Sequence, residues 1–264
     1  MEWAPVDAGE HSGVEESKAR LLALGVPDYV LNDLTAEDLA ACDGAIQVVV
    51  DVDDYPVNRG RRVSHSYWIG GERRTNIHTV YDVKELRITG VGVELPGERW
   101  MLIQHFLWTT LPGFRGTESI QLWPAYRAGM EGWRSGGALT GRVLYDEGGQ
   151  TYAAPYCFLG EQTFAYDSLF WGQQIRDDLF AAFSLPRDGE NCRGYVAYPI
   201  ERVRDGYIVD GWFNYTHQQS WMQYPVMTAM ENQMTNGWNW EGVFYEVSTA
   251  LQFYQNEEGV RLLG

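Results

Sequence analysis

The chain has 264 residues, of which 45% are hydrophobic and 21% charged, the composition of a globular protein rather than a disordered one. Its formal net charge is −16 at pH 7, which disfavours a phosphate backbone or an anionic membrane surface as a partner. We therefore predict no nucleic-acid partner.

Residues 1–44 predict a helical arm that packs on the body of the protein. The segment Glu15–Leu24 has apolar residues at helical spacing, and Gly25 after it is a suitable left-handed stop. A second short helix follows. Thr35 is a good N-cap for a third helix, because Asp38 stands three residues later in the capping-box position.

From residue 45 onward the pattern changes to short β-branched and aromatic runs that are bounded by turn residues. This pattern predicts a mainly β domain over 45–264, built as an antiparallel β-sandwich, jelly-roll-like or a flattened barrel. Isolated strands are predicted near residues 46–52, 63–69, 118–123 and 179–185.

Three β-hairpins are predicted within this domain. The clearest joins Leu86–Leu95 to Arg99–Trp108, because Pro96 and Gly97 fit the two central positions of a type II turn. The other two hairpins pair Arg142–Tyr145 with Gln150–Ala154, and Tyr195–Arg202 with Tyr207–His217.

The C-terminal segment Glu241–Tyr254 predicts a helix instead of a strand. Its apolar residues recur at helical spacing, so we expect a closing amphipathic C-terminal helix that packs on the sandwich. The residues at that spacing are Val243, Phe244, Val247, Ala250, Leu251 and Tyr254.

The three cysteines include no CxxC motif, so neither a zinc site nor a disulfide framework is indicated. Either one bridge between Cys157 and Cys192 or three buried free thiols fits the sequence. No apolar run reaches the roughly 18 residues of a membrane span, and residues 1–10 lack the pattern of a signal peptide. Either the protein is cytoplasmic, or its export signal is absent from this sequence. We favour a secreted or cell-surface protein, and we expect no cofactor and no bound metal.

Two aromatic segments are the candidates for a binding site. In Tyr207–Tyr224, rings alternate with Asp, Asn, Gln and His, the combination with which proteins stack on sugars and bind their hydroxyls; a buried central strand accounts for the same composition. In Met234–Trp240, two tryptophans lie in a Gly/Asn turn, where they either cover the core or stack on a ligand. The predicted ligand-binding residues are Trp212, Asn214, His217, Trp221, Trp238 and Trp240.

Three functions are consistent with these residues. We favour a non-enzymatic, extracytoplasmic binding module for carbohydrate or another surface ligand. The second is a glycan-active hydrolase, which needs two carboxylates about 5 to 10 Å apart. Its candidate residues are Glu118, Asp210 and His105, although a core strand would hold His105 as a hydrogen-bonded buried histidine. The third is a structural or protein-interaction domain whose aromatic surface is the interface.

Overall fold

The computed structural model describes residues 3–6, 14–55, 61–69, 72–80, 86–112, 115, 117–125, 133–155, 157–161, 179–186, 188–202, 210–218, 244–256 and 259–262. The helices are α1 (Glu15–Ala23), α2 (Asp28–Leu31) and α3 (Ala36–Ala41). The strands are β1 (Ala4–Pro5), β2 (Gln47–Tyr55), β3 (Arg61–Ile69), β4 (Glu72–Val80), β5 (Leu86–Leu95), β6 (Arg99–Trp108), β7 (Thr117–Ala125), β8 (Trp133–Ser135), β9 (Thr140–Glu147), β10 (Gln150–Pro155), β11 (Cys157–Glu161), β12 (Leu179–Ser184), β13 (Glu190–Arg202), β14 (Asp210–Gln218), β15 (Phe244–Asn256) and β16 (Gly259–Leu262).

The strands form two large sheets and one separate hairpin. An eight-stranded sheet has the order β1-β10-β9-β13-β6-β5-β2, with β8 paired to β13. A six-stranded sheet has the order β11-β12-β7-β14-β15-β16. Strands β3 and β4 pair with each other as a two-stranded sheet. The pairings that the structure describes are all antiparallel.

Two apolar clusters lie on the two faces of the eight-stranded sheet. The first lies between the sheets, where the ring of Phe106 is 5.4 Å from that of Phe183 and 5.0 Å from that of Tyr215. The second lies between the same sheet and the N-terminal helices, and includes Ile103 and Leu34. Because neighbouring residues of β6 alternate between these clusters, that strand is buried on both sides. The prediction of a mainly β, antiparallel sandwich is confirmed, with the helices as a third layer.

The helices of the N-terminal segment begin and end at the signals in the sequence. Gly25 and Gly44 have φ values of +106° and +75°, in the left-handed region that favours glycine. The Thr35 hydroxyl oxygen accepts a hydrogen bond from the backbone N–H of Asp38 at 3.1 Å, which caps α3. The same hydroxyl donates to the Asp38 carboxylate at 2.7 Å.

Two of the three predicted hairpins are confirmed. Strands β5 and β6 pair from Leu86↔Trp108 to Leu95↔Arg99, and Gly97 between them has φ +78°. Strands β9 and β10 pair around the turn that follows Glu147.

The third predicted hairpin, Tyr195–Arg202 with Tyr207–His217, is wrong. Strand β13 lies in the eight-stranded sheet beside β6 and β9, whereas β14 lies in the six-stranded sheet between β7 and β15. Turn residues show where a chain can reverse its direction. They do not determine which of two sheets receives the next strand.

The predicted C-terminal helix over Glu241–Tyr254 is also wrong, since Phe244–Asn256 is strand β15. Apolar residues of the segment also recur with a period of two at Tyr245, Val247, Leu251 and Phe253, and Thr249 interrupts the series. Nine consecutive residues of β15 pair with β14, from Gln252↔Asp210 to Phe244↔Gln218. This non-local pairing satisfies the backbone of both strands, and it outweighs a helical spacing that is read from one segment alone.

Cys42 and Cys192 are free, buried thiols, so the Cys157–Cys192 bridge is not formed. Among the described residues, no helix is both long enough and apolar enough to cross a bilayer.

We predict that Phe106→Ala lowers the free energy of unfolding by about 3 to 5 kcal/mol, because it opens a cavity between the two sheets. Urea denaturation measures the change. The control is Leu22→Ala on α1, whose side chain is 49% exposed and whose effect should stay within about 0.5 kcal/mol. Equal effects of the two variants would mean that the sandwich interior is not packed as described.

Candidate functional site

A carboxylate and an imidazole are enclosed together between the two sheets. Glu118 of β7 and His217 of β14 occupy directly opposed register positions, and His217 Nδ1 lies 2.7 Å from Glu118 Oε1. Both side chains are buried. The His217 ring packs edge-on against Trp108 at a centroid distance of 5.0 Å, and Trp108 Nε1 donates to the Tyr215 hydroxyl at 3.0 Å.

Burial raises the pKa of Glu118, because an enclosed carboxylate loses its hydration. The charge of His217, its hydrogen bond and the Tyr215 side chain act in the opposite direction and offset only part of the effect. Among the described residues, none donates a hydrogen bond to Glu118 Oε2. The pair is therefore a buried polar contact on the inner face of the six-stranded sheet, between its two central strands β7 and β14.

The register of this sheet assigns other residues to its second face. Because side chains alternate along a strand, positions 119, 121 and 123 of β7 fall on the face opposite to Glu118 and Ile120. Positions 212, 214 and 216 of β14 likewise fall opposite to Tyr215 and His217. We call this second face, which includes the matching positions of β15, the outer face.

The outer face carries a pattern of residues in rows across three strands. One row joins two tryptophans, Trp123 and Trp212, which occupy directly opposed positions, and the next row joins two amides, Gln121 and Asn214. The rows from β7 through β14 to β15 are Ser119–Thr216–Glu246, Gln121–Asn214–Ser248, Trp123–Trp212–Ala250 and Ala125–Asp210–Gln252. None of these twelve positions holds a lysine or an arginine.

The predicted ligand-binding residues divide into three groups. Trp212 and Asn214 lie on the outer face, at positions two residues apart on β14. His217 lies on the same strand but is buried on the inner side against Glu118. Trp221, Trp238 and Trp240 lie outside the described residues.

Trp123 and Gln121 were not identified from the sequence. Strand β7 was predicted over 118–123, but its partner β14 lies about ninety residues further along the chain. No local signal indicates such a distant pairing. The one available signal is that tryptophan and amide residues alternate with apolar ones in both strands.

The candidate hydrolase residues do not share a cleft. Glu118 stands opposite His217, whereas Asp210 stands opposite Ala125, seven residues further along the strand pair. At about 3.3 Å per residue the two backbone positions are about 23 Å apart, and they fall on opposite faces of the sheet. Paired carboxylates of glycosidases lie within about 10 Å. His105 faces the helical layer, with the eight-stranded sheet between it and Glu118.

His105 belongs to a buried polar network that joins the helical segment to the eight-stranded sheet. Its Nε2 lies 2.8 Å from Asp33 Oδ2, and Asp33 Oδ1 accepts a hydrogen bond from Arg193 Nε at 2.7 Å. Arg142 Nε donates to the backbone carbonyl of Asp33 at 3.0 Å. These groups attach the helical segment to the sheet, and His105 is a hydrogen-bonded core histidine.

Cys192 is a buried thiol of the cluster between the sheets. Burial raises its pKa to about 11, with a smaller raising effect from Glu118, although Arg115 lowers it. The thiol is therefore protonated at neutral pH. Because the thiolate is the nucleophilic form of cysteine, this thiol is a poor nucleophile at neutral pH.

No protein-family model matches the chain, and no curated protein matches it. Two solved structures show distant similarity. AvmM, which catalyzes macrocyclization in alchivemycin A biosynthesis, has a TM-score of 0.27 and 12% identity over 71% of this chain and 95% of its own. TmCBM27, a carbohydrate-binding module with specific mannan recognition, has a TM-score of 0.24 and 11% identity over 61% of this chain and 92% of its own. TM-scores this low carry no argument about function.

We predict that the stabilising contribution of Glu118 falls as the pH rises from 5 to 7. A carboxyl group whose pKa is raised in the folded state binds its proton more tightly there than in the unfolded chain, so folding is weakened as that proton is lost. The measurement is urea denaturation of the parent and of Glu118→Gln across this range, with the difference in unfolding free energy decreasing toward pH 7.

The matched control for Glu118→Gln is Asp146→Asn. Burial raises the pKa of Asp146, but hydrogen bonds from Asn191 and Thr151 together with Arg193 outweigh it, and the net pKa is lowered. The contribution of Asp146 is therefore fully present above the ordinary value of 3.8 and is lost only at more acidic pH. The difference in unfolding free energy between the parent and Asp146→Asn should therefore stay constant between pH 5 and 7. A flat profile for Glu118→Gln as well would contradict the raised pKa.

Proposed function

We propose that the protein is a non-enzymatic carbohydrate-binding module that holds a neutral glycan on the outer face of its six-stranded sheet. The observation that carries the proposal is the register of β7 and β14, which places Trp123 opposite Trp212 and Gln121 opposite Asn214. Two ring-bearing positions beside two amide positions offer both a surface for stacking and groups that bind hydroxyls.

The charges of this face favour a neutral ligand. Its twelve positions include two carboxylates, Asp210 and Glu246, and no cation, and the whole chain has a net charge of −16. A uronate or sulfate group would meet like charge there without a guanidinium to pair with. Hydroxyl groups, by contrast, match the amide and hydroxyl positions in the rows next to the tryptophans.

The inner side of the same strands supports a rigid platform. The Glu118–His217 pair links β7 to β14 at one end of the outer-face rows, and Tyr215 packs into the core between the sheets. A one-residue slip of this pairing would exchange the two faces of a strand, so the buried contacts also fix which residues form the outer face. Binding residues on a fixed scaffold lose less entropy when a ligand binds.

We predict that Trp212→Ala weakens the binding of a neutral glycan by about 30-fold or more, because truncation of an anchoring tryptophan costs about 2 kcal/mol or more. A panel of neutral polysaccharides (mannan, galactan, xylan and β-glucan) in affinity electrophoresis identifies the ligand, and isothermal titration then gives its Kd for each variant.

The control for Trp212→Ala is Trp3→Ala, which removes a half-buried tryptophan that packs edge-on against Tyr145 in the eight-stranded sheet. This control should leave the Kd unchanged. Equal affinities of the parent and Trp212→Ala would refute the outer face as the binding site. If the parent binds no glycan of the panel, the proposal of a neutral-glycan site on the outer face fails.

A further inference from the structure

The β3–β4 hairpin concentrates positive charge in an acidic protein. Residues 61–80 contain four arginines and one carboxylate, Glu72, whereas the whole chain contains 36 Asp and Glu against 20 Lys and Arg. The hairpin is therefore formally +3 in a chain of −16. Among the described strands, β3 and β4 pair only with each other, and neither packs extensively along another described element.

The strands of the hairpin are long compared with the range of charge–charge interactions in solution. Nine residues per strand at about 3.4 Å each give about 30 Å, while the Debye length at physiological ionic strength is about 8 Å. Charges at the tip therefore interact weakly with carboxylates near its base. This screening applies to Arg73 and Arg74 near the tip, whereas Arg61 and Arg62 stand at the base of the hairpin.

The register divides the arginines equally between the two faces of the hairpin. Arg62 stands opposite Thr79 and Arg73 stands opposite Trp68, so these two arginines share one face, about 20 Å apart along the strands. Arg61 and Arg74 occupy the corresponding places on the other face. The first face also holds the positions of Ser64, Ser66, Thr75 and Ile77 between its arginines, and we call it the serine face.

We propose that the serine face of the β3–β4 hairpin is a second binding site, and that it takes an acidic glycan chain. Guanidinium groups bind carboxylates and sulfates in a bidentate manner, and the hydroxyl-bearing positions between them match sugar hydroxyls. Trp68, opposite Arg73, adds an aromatic position at the tip, where a sugar ring can stack.

The spacing of the arginines favours a glycan over nucleic acid. Duplex DNA carries a charge about every 1.7 Å of its axis, so a 20 Å length presents roughly a dozen phosphates. The serine face offers two guanidinium positions over that length, with uncharged hydroxyl-bearing residues between them. This arrangement matches a polymer whose acidic groups are sparse and separated by hydroxyls. The site goes beyond the proposed neutral-glycan face and does not depend on it.

The experiment measures the affinity of the full chain for polygalacturonate, which carries carboxylates, and for heparin, which also carries sulfates. Arg62→Gln combined with Arg73→Gln should weaken the binding of the preferred polymer by tenfold or more. The matched control combines Arg61→Gln with Arg74→Gln, which removes the same charge from the same two strands on the other face, and should weaken it by less than threefold. The preferred polymer shows whether the arginines bind carboxylate or sulfate.

Three results would overturn the proposal: equal losses in the two double variants, no binding of either acidic glycan, or binding of duplex DNA at least as tight as that of the glycan. The neutral glycan panel with Trp212→Ala is measured in parallel. Loss of acidic-glycan binding in Arg62→Gln/Arg73→Gln without any neutral-glycan binding supports the hairpin site and refutes the outer face. Neutral-glycan binding that is lost in Trp212→Ala, without any binding of an acidic glycan, refutes the hairpin site alone.

Discussion

Strand β6 is enclosed on both faces, and two of its polar side chains make hydrogen bonds to residues of the neighbouring layers. On its helical side, His105 meets Asp33. On its sandwich side, the Trp108 indole donates to the Tyr215 hydroxyl, and its ring packs on His217. The same strand therefore holds both outer layers through directional contacts as well as apolar area. Loss of either partner would leave a buried polar group unsatisfied, which costs about 1 to 3 kcal/mol.

This double burial separates the two polar clusters and determines their chemistry. The Asp33–His105–Arg193 network lies under the helices, and the Glu118–His217 pair lies between the sheets, with a sheet between the two. Glu118 and His105, two candidate acid–base residues of the sequence analysis, thus lie on opposite sides of the eight-stranded sheet. Both clusters therefore connect layers or strands within the interior.

The sequence predicts features that are decided locally and fails at those decided by distant pairing. The Pro96–Gly97 turn and the cap at Thr35 are set by a few neighbouring residues, and both are found. The C-terminal segment has apolar residues at both helical and strand spacing, and only its pairing with β14 selects the strand. The Trp123–Trp212 row is likewise determined by the pairing of two distant strands. Each tryptophan alone fits a core strand, and their relation exists only through a register set by residues about ninety positions apart.

Net charge is a sum over the whole chain. It predicts the electrostatic attraction or repulsion of a partner only where the charges lie close enough to one another to act on the same part of that partner. Screening limits that range to about 8 Å at physiological ionic strength, much less than the width of this protein or the length of the β3–β4 hairpin. A value of −16 is thus a sum over outer-face rows that carry two carboxylates and no cation and a hairpin that carries four arginines and one carboxylate. For a chain with such uneven charge, a partner must be inferred from the charges within one Debye length of each candidate surface.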